Sequence, residues 1–362
     1  MCQRNMKPFV DVVVVLWKSA PYMEALFEGL EMLRYPHESV RVHFVNNDPE
    51  EGSMDAVREE MRRRVGQLPP IQIHEPGKNT GFCGGNNLVM RLAIEANHPY
   101  VYLLNHDASF EPFALLEAVE LAEARPNSGS IQSLLVLQQD PETLNSWGNE
   151  IHLFGFGYCG GWKEPRSSAP AEVKEIVYAS GAGVLYRVDA LQKVGLLDED
   201  LFLYHEDLDL GWRLLLAGYD NLLAPKSVVQ HRYEFSRSIT KMYWMERNRL
   251  LVMFKNYHVG TLVLLAPFLL VLELGILLLS IRGRWWREKL RSYHDVFSAS
   301  SFSYVRRGRK EIERIRIRRD QGILPRFTTA ISYQDVPETW MNRIVQPVWN
   351  GIHVVLQKIV VW

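Results

Sequence analysis

The sequence predicts an α/β fold built on a largely parallel sheet, and three observations carry that reading. Residues 9–17 (FVDVVVVLW) form an unbroken β-branched and aromatic run, the signature of a strand buried on both faces. Strand-like and helix-like segments then alternate through the first hundred residues. The conspicuous polar clusters, at 46–48, 78–87 and 105–107, each follow a strand, where ligands of such sheets bind. In order, residues 21–34 have helical apolar spacing and 40–45 read as a second strand, closed by the turn Asn46-Asn47-Asp48-Pro49. A charged helix precedes a short strand at 71–74, residues 83–97 read as helix, and 100–104 (YVYLL) as another buried strand. From about 113 to 255 the pattern is mixed, with Gly-rich stretches at 154–162 and 179–184 and two clear helices, near 206–217 and 240–255.

The 362 residues suggest two or three units, and 47% hydrophobic against 23% charged residues excludes a disordered or fibrous chain. Three cysteines (Cys2, Cys83, Cys159) cannot build a disulfide framework, and without a CxxC pair they suggest no zinc site; a reducing compartment follows. The N-terminus runs straight into a strand pattern without a small-residue cleavage site, so no signal peptide is expected. The net charge of −1 hides an imbalance: residues 282–319 hold thirteen Lys/Arg against four Asp/Glu, a local +9. Just before them, residues 259–281 lack Lys and Arg, and as a helix would be about 34 Å long against a hydrocarbon core of roughly 30 Å. Basic residues flank both sides, so neither orientation suits a single span. Pro267 and Glu273 interrupt the segment, which predicts a re-entrant or in-plane helical hairpin; the alternative is a buried or oligomer-interface helix pair.

Four constellations could carry chemistry. Asn105-His106-Asp107 ends a buried strand, where a carboxylate can hold a divalent cation or simply cap a turn. Glu206, Asp207 and Asp209 open an apolar-periodic helix; acidic residues there favour the helix dipole, but clustered carboxylates also raise one another's pKa, which suits a general base. The loop from Lys78 to Asn87 (KNTGFCGGNN) permits close backbone approach and opens a helix that favours anions, though it matches neither a P-loop nor a dinucleotide fingerprint. His231 follows a strand-like stretch and, taken alone, reads as structural.

Taken together, these segments resemble glycosyltransferase family 2 on the GT-A fold, in particular its rhamnosyltransferase-like branch. The resemblance rests on the V-rich opening strand at 12–16, Val45-Asn46-Asn47, the N-x-G-F-x-x-G-N-N loop at 79–87, Asn105–Asp107, the S-G-A segment at 180–182, E-D-x-D-L-x-x-R at 206–213, His231 and Arg247-Asn248. It covers roughly residues 8–255. It implies a GT-A mixed sheet flanked by helices: a nucleotide-sugar-binding half at 1–110, an acceptor-binding and catalytic half at 111–258, and a C-terminal helical, membrane-associated or oligomerising region at 259–362.

The resemblance further implies an inverting, metal-dependent hexosyltransferase-type enzyme that moves a sugar, such as rhamnose or another deoxysugar, from a nucleotide-diphospho-sugar to a glycan or lipid-linked acceptor in cell-surface polysaccharide synthesis. Asp207 is then the base, with Glu206 shaping the acceptor or sugar site. Asn46, Asn79, Gly84, Gly85, Asn87, Asn105 and Asp107 would line the nucleotide-sugar site, and Asp107 with His231 would hold Mg²⁺ or Mn²⁺. Asp209 and Arg213 would meet the acceptor or orient the helix through an ion pair. Two departures stand out: Asn46 replaces the Asp usual in the first turn, and Asp107 is the metal motif's one carboxylate. A nucleotidyltransferase would want a Gly-rich, basic loop after the first strand, which Leu16-Trp17-Lys18-Ser19-Ala20 does not supply. A catalytically dead membrane-bound scaffold would tolerate loss of the base, but the acidic motif is intact. The expected place is the cytoplasmic membrane face, peripheral or monotopic, with residues 259–319 on the membrane surface, possible self-association, and no nucleic-acid partner.

Overall fold

The computed structural model describes residues 7–50, 52–233, 239–330 and 340–362; Cys2 and the N-terminal start of the signal-peptide reading lie outside them. The elements run β1 (Val10–Leu16), α1 (Met23–Met32), β2 (Val40–Asn46), α2 (Ser53–Arg63), β3 (Ile71–His74), α3 (Gly81–Glu95), β4 (Tyr100–Leu104), β5 (Ala108–Phe110) and α4 (Ala114–Ala124). They continue through β6 (Ser128–Leu137), β7 (Asp140–Ser146), β8 (Asn149–Ile151), β9 (Gly157–Cys159), β10 (Lys174–Ile176), β11 (Gly183–Arg187), α5 (Val188–Val194), α6 (Glu206–Leu216) and β12 (Asp220–His231). Among the described residues six helices follow: α7 (Ile239–Asn256), α8 (Val259–Arg282), α9 (Trp286–Val296), α10 (Ala299–Ile315), α11 (Asp320–Ile323) and α12 (Trp340–Ile359).

The chain divides into two compact units interleaved in sequence. The first comprises Met1–Asn149, Cys159–Phe202 and Tyr219–Glu234. Its sheet has the order β10-β12-β6-β11-β4-β1-β2-β3, with β5 on β12 and β7 on β6. The edge β4-β1-β2-β3 is parallel throughout, as the β-branched runs demand. Beyond β4 the sheet turns mixed, because β11 runs antiparallel to both β4 and β6. Every residue of β1 and β4 is buried, and the apolar faces of α1 (Leu26, Phe27, Leu30) and α4 (Leu115, Ala118, Val119) close one side of the core. The chain leaves β1 for β2 on one side and crosses from β3 back to β4 on the other, so the carboxyl ends of β1 and β4 form the crevice where such sheets take ligands.

The second unit comprises Glu150–Tyr158, Leu203–Gly218 and Phe235–Trp362 and is helical. Here the hairpin expectation is overturned: α8 is one continuous 24-residue helix that runs through both Pro267 and Glu273. Proline deletes one rung of the ladder without ending the helix. Glu273 is an anchor. Its carboxylate receives the Lys289 Nζ at 2.7 Å and the Tyr293 hydroxyl at 2.7 Å, and also meets Arg249. Glu246 completes the buried network, accepting from Arg249 at 2.8 Å and contacting Lys289. Two cations and two carboxylates thus neutralise one another inside the unit and tie α8 to α7 and α9. The other face of α8 is bare, with Val259, Val263, Leu270, Leu274 and Leu278 all more than half exposed. By length and composition α8 could cross a membrane, and only 11% of its most apolar window is buried.

Candidate active site

In the first unit the polar residues at the carboxyl strand ends hold one another. Asn47, after β2, donates to the Gly81 carbonyl at 2.8 Å and accepts from the Thr80 amide and hydroxyl. Asn46 accepts from the Asp48 amide at 3.1 Å, and Asp48 from the Lys18 amide at 2.8 Å. Asn79 accepts from the Gly81 amide at 2.8 Å, forming the turn into α3. Gly81 has φ +71°, and a Cβ there would lie 2.7 Å from the Phe202 ring, so glycine is required twice over.

Gly84, Gly85 and Asn87 are buried in the opening of α3. A Cβ on Gly84 would meet Thr80 Cβ at 2.8 Å, and one on Gly85 would meet the Val15 methyls at 2.8 and 2.9 Å. Gly85 lets the helix sit directly on β1, and Gly84 leaves room for the Thr80 side chain. Asn87 is spent on the loop after α5, donating to the Leu197 carbonyl and Glu199 and accepting from the Leu197 amide.

Asp107 follows β4, and strand register brings His231 to it: β5 pairs with the end of β12 so that His231 stands opposite Ala108. His231 Nε2 lies 3.2 Å from Asp107 Oδ1 and 3.5 Å from Asn105 Nδ2, while Nδ1 contacts Asn145 Oδ1 at 2.9 Å. The Asn145 carbonyl can only accept, so it takes the Nδ1 proton and leaves Nε2 turned toward Asp107. Burial pushes the Asp107 carboxyl up, but the contact and charge of His231 outweigh it and hold the group below its ordinary range. His106, in contact with the Val15 carbonyl at 3.3 Å, is held below the usual imidazole range, mainly by burial.

The second unit carries the acidic helix. Tyr204 (φ +66°) and His205 (φ +69°) both take left-handed backbone at its entry, each costing about 1–3 kcal/mol. Asn248 of the Arg-Asn pair, fully buried in α7, holds this strained turn by donating to the Leu203 and Tyr204 carbonyls at 2.9 and 2.8 Å. Glu206, the first residue of α6, is buried, and its Oε2 has no hydrogen-bond partner among the described residues. Burial first, and the Asp207 charge second, push its carboxyl up to about 8. At neutral pH it is therefore mostly a neutral acid. Asp207 is half-buried and accepts from the Leu208 amide at 2.7 Å. Asp209 is fully buried, receiving Arg213 Nε at 2.8 Å, Lys255 Nζ at 2.8 Å and Asn256 Nδ2 at 2.9 Å. Asp209 and Arg213 form an ion pair one turn apart within α6. Sequence reading missed Asn145, Lys255 and Asn256, none of which sits in a recognisable motif.

The model of the glycosyltransferase like family 2 matches residues 8–250. The chain belongs to this family. It is a glycosyltransferase of GT-A fold. A curated relative, the N-acetylglucosaminyl-diphospho-decaprenol L-rhamnosyltransferase of Mycobacterium tuberculosis, is 25% identical over 247 residues, covering 62% of this chain and 76% of that protein. Among solved structures, a mannosyltransferase from Pyrobaculum calidifontis, in complex with GDP-Man and Mn²⁺, superposes with a TM-score of 0.52 at 14% identity, over 98% of this chain and 88% of that one. GalNAc-T7 with UDP, GalNAc and Mn²⁺ gives 0.55 at 11% identity, over 72% and 49%.

A divalent ion fits the donor set of this family member. His231 Nε2 and an Asp107 oxygen face each other at 3.2 Å, and that oxygen makes no well-aligned hydrogen bond, so a cation could take both atoms as ligands. Among the described residues no group of three or more His, Cys, Asp or Glu side chains forms a full cage. That suits Mg²⁺ or Mn²⁺, which commonly take one or two protein ligands and complete the shell with substrate phosphates and water.

Proposed function

We propose that this glycosyltransferase moves a sugar, with inversion, from a nucleotide-diphospho-sugar to a hydroxyl of a glycan or lipid-linked acceptor in cell-surface polysaccharide synthesis. The likeness to a rhamnosyltransferase with a diphospho-decaprenol acceptor supports a deoxysugar donor and a lipid-linked acceptor. Residues 1–110 serve the donor, 111–258 the acceptor and catalysis, and 259–362 attachment to the cytoplasmic membrane face as a peripheral or monotopic protein. The bare apolar face of α8, held from behind by Glu273, supports that attachment.

Asp207 takes the proton from the acceptor hydroxyl as its oxygen bonds to the anomeric carbon. The bond from that carbon to the diphosphate oxygen breaks, and the nucleoside diphosphate departs with the electron pair. Glu206, as a neutral acid, adds no second negative charge beside Asp207 and can donate a hydrogen bond to an acceptor or sugar oxygen. Asp107 and His231 would hold Mg²⁺ or Mn²⁺, which supplies positive charge for the leaving diphosphate when bound. Asn46, Asn79 and Asn105 border the nucleotide, while Gly84, Gly85 and Asn87 act by holding the loop and α3 in place. The observation that carries the reading is the split between two carboxylate sites: one paired with an oriented histidine, the other an acid pair with Glu206 held neutral.

A panel of nucleotide-diphospho-sugars with Mn²⁺ tests this. Consumption of one donor, with the anomeric configuration inverted in the product by NMR, is expected. Consumption of none, or a retained anomer, refutes it.

A further inference from the structure

The second unit holds a cavity of about 400 Å³ that none of the residues assigned above to proton transfer or metal holding lines. It lies where the end of α7 meets one stripe of α10, and its size falls within the roughly 300–1,000 Å³ of small-molecule sites. Five cations line it: Lys255, Arg306, Arg309, Lys310 and Arg316. The carboxylates that answer them are fewer. Lys255 is spent on Asp209 at 2.8 Å and Arg316 on Asp320 at 2.8 Å, and Glu313 is the one acid in the lining. The cavity therefore keeps an excess of two positive charges. Arg309 donates to the Phe254 and Tyr257 carbonyls, neither of which carries charge to match its own. Arg316 Nε is buried without a hydrogen-bond partner among the described residues. The rest of the lining is apolar, with Phe302, Val305 and Ile312 along the same stripe and Phe302 71% exposed. His258 closes one side, and the bare face of α8 begins at the next residue, Val259.

We propose that this cavity binds a phosphate or diphosphate group carrying an apolar chain, the head of a lipid-linked acceptor. The inference rests on the lipid-linked reading above and deepens it. The unmatched cations take the anion, as guanidinium and ammonium groups take phosphate oxygens. Phe302 and its apolar neighbours take the first carbons of the chain, and the outer face of α8 continues in the same chemistry. Burial, and then the neighbouring Arg316, hold Arg309 below its ordinary range, so an anion here would relieve crowding among like charges.

Binding to the full chain in the absence of any sugar donor tests the inference, with farnesyl diphosphate and inorganic pyrophosphate as probes. Arg306 and Lys310 are exposed, so R306Q/K310Q leaves the fold intact. It should weaken farnesyl diphosphate by about tenfold or more, the equivalent of about 1.4 kcal/mol. F302S should weaken farnesyl diphosphate about fivefold and leave pyrophosphate unchanged, because it removes apolar contact only. Equal affinity of both probes, each lost in R306Q/K310Q, would assign the cavity to free phosphate and overturn the lipid-linked source. Farnesyl diphosphate binding unchanged in R306Q/K310Q overturns the site altogether, whether or not that variant still adheres to phosphatidylglycerol vesicles. The two readings fail separately. Wild-type protein that binds the probe but consumes no donor removes the transfer reading alone, whereas donor hydrolysis with unchanged binding in the variant removes only this one.

Discussion

Replacing Glu206 with glutamine should stabilise the protein, increasingly so as the pH rises. The Glu206 carboxyl is raised from an ordinary 4.5 to about 8 by burial and by Asp207. A carboxyl raised in this direction contributes stability below its unfolded value, and that contribution is lost as the pH climbs through the folded one. At 1.36 kcal/mol per pKa unit, the penalty for holding Glu206 buried is slight at pH 5 and on the order of 4 kcal/mol at pH 8. Glutamine does not titrate, so whatever the amide itself costs is the same at both values. Urea unfolding of wild type and E206Q at pH 5 and pH 8 should show the stability difference between them shifting by about 3–4 kcal/mol in favour of E206Q at the higher pH. Because the difference is taken between two proteins, the buried His152 and His205, lowered to about 3 and about 4 mainly by burial, cancel out. Donor turnover by E206Q near pH 7 should stay within a few-fold of wild type, since the replaced group is already neutral there. A stability difference that is flat with pH would refute the raised carboxyl and the role of neutral acid with it.

Three further changes bear on the site and its support. D207N should keep donor affinity near normal while lowering turnover by about 10²–10⁴, read by steady-state kinetics; transfer at the wild-type rate would dismiss Asp207 as the base. D107A should weaken donor binding and abolish any response to added Mn²⁺, and full activity in EDTA would contradict the metal assignment. K289M leaves Glu273 and Glu246 sharing Arg249 in a buried setting, and should lower stability by about 3–5 kcal/mol in denaturant titration. A loss under 1 kcal/mol would mean that the network does not hold α8.

The parallel half of the sheet was legible because β1 and β4 are buried along their whole length and therefore read as strongly apolar runs. The return strands β6, β11 and β12 were not, since antiparallel pairing of β11 is set by neighbours distant in sequence, which periodicity does not report. At the site, Asp107, Asp207 and His231 stand out as residue types in motifs, whereas Asn145 and Lys255 act through contacts 86 and 46 residues away and leave no local pattern. The glycines at 84 and 85 were found for one reason and are explained by another: they are packing surfaces for Thr80 and Val15. Glu273 shows the reverse error. A charge in an apolar run reads as a break, yet its partners Lys289 and Arg249 make it the residue that fastens the helix.

That fastening has a practical side. The apolar stretch invites removal by anyone wishing to purify the enzyme without detergent, and residue 258 is an inviting place to cut. Such a cut would strip Glu246 and Arg249 of Glu273 and Lys289, take Tyr304 from Lys255, and deprive the His258 amide of Asp320. The shortened chain would expose ionic groups evolved for a dry setting, on the same helix that carries Asn248 and the turn into Asp207. Greasiness in this protein is bound up with the geometry of its acidic helix, so solubility is better sought by recolouring the outward positions of α8, such as Val263, Leu270 and Leu278, than by amputation.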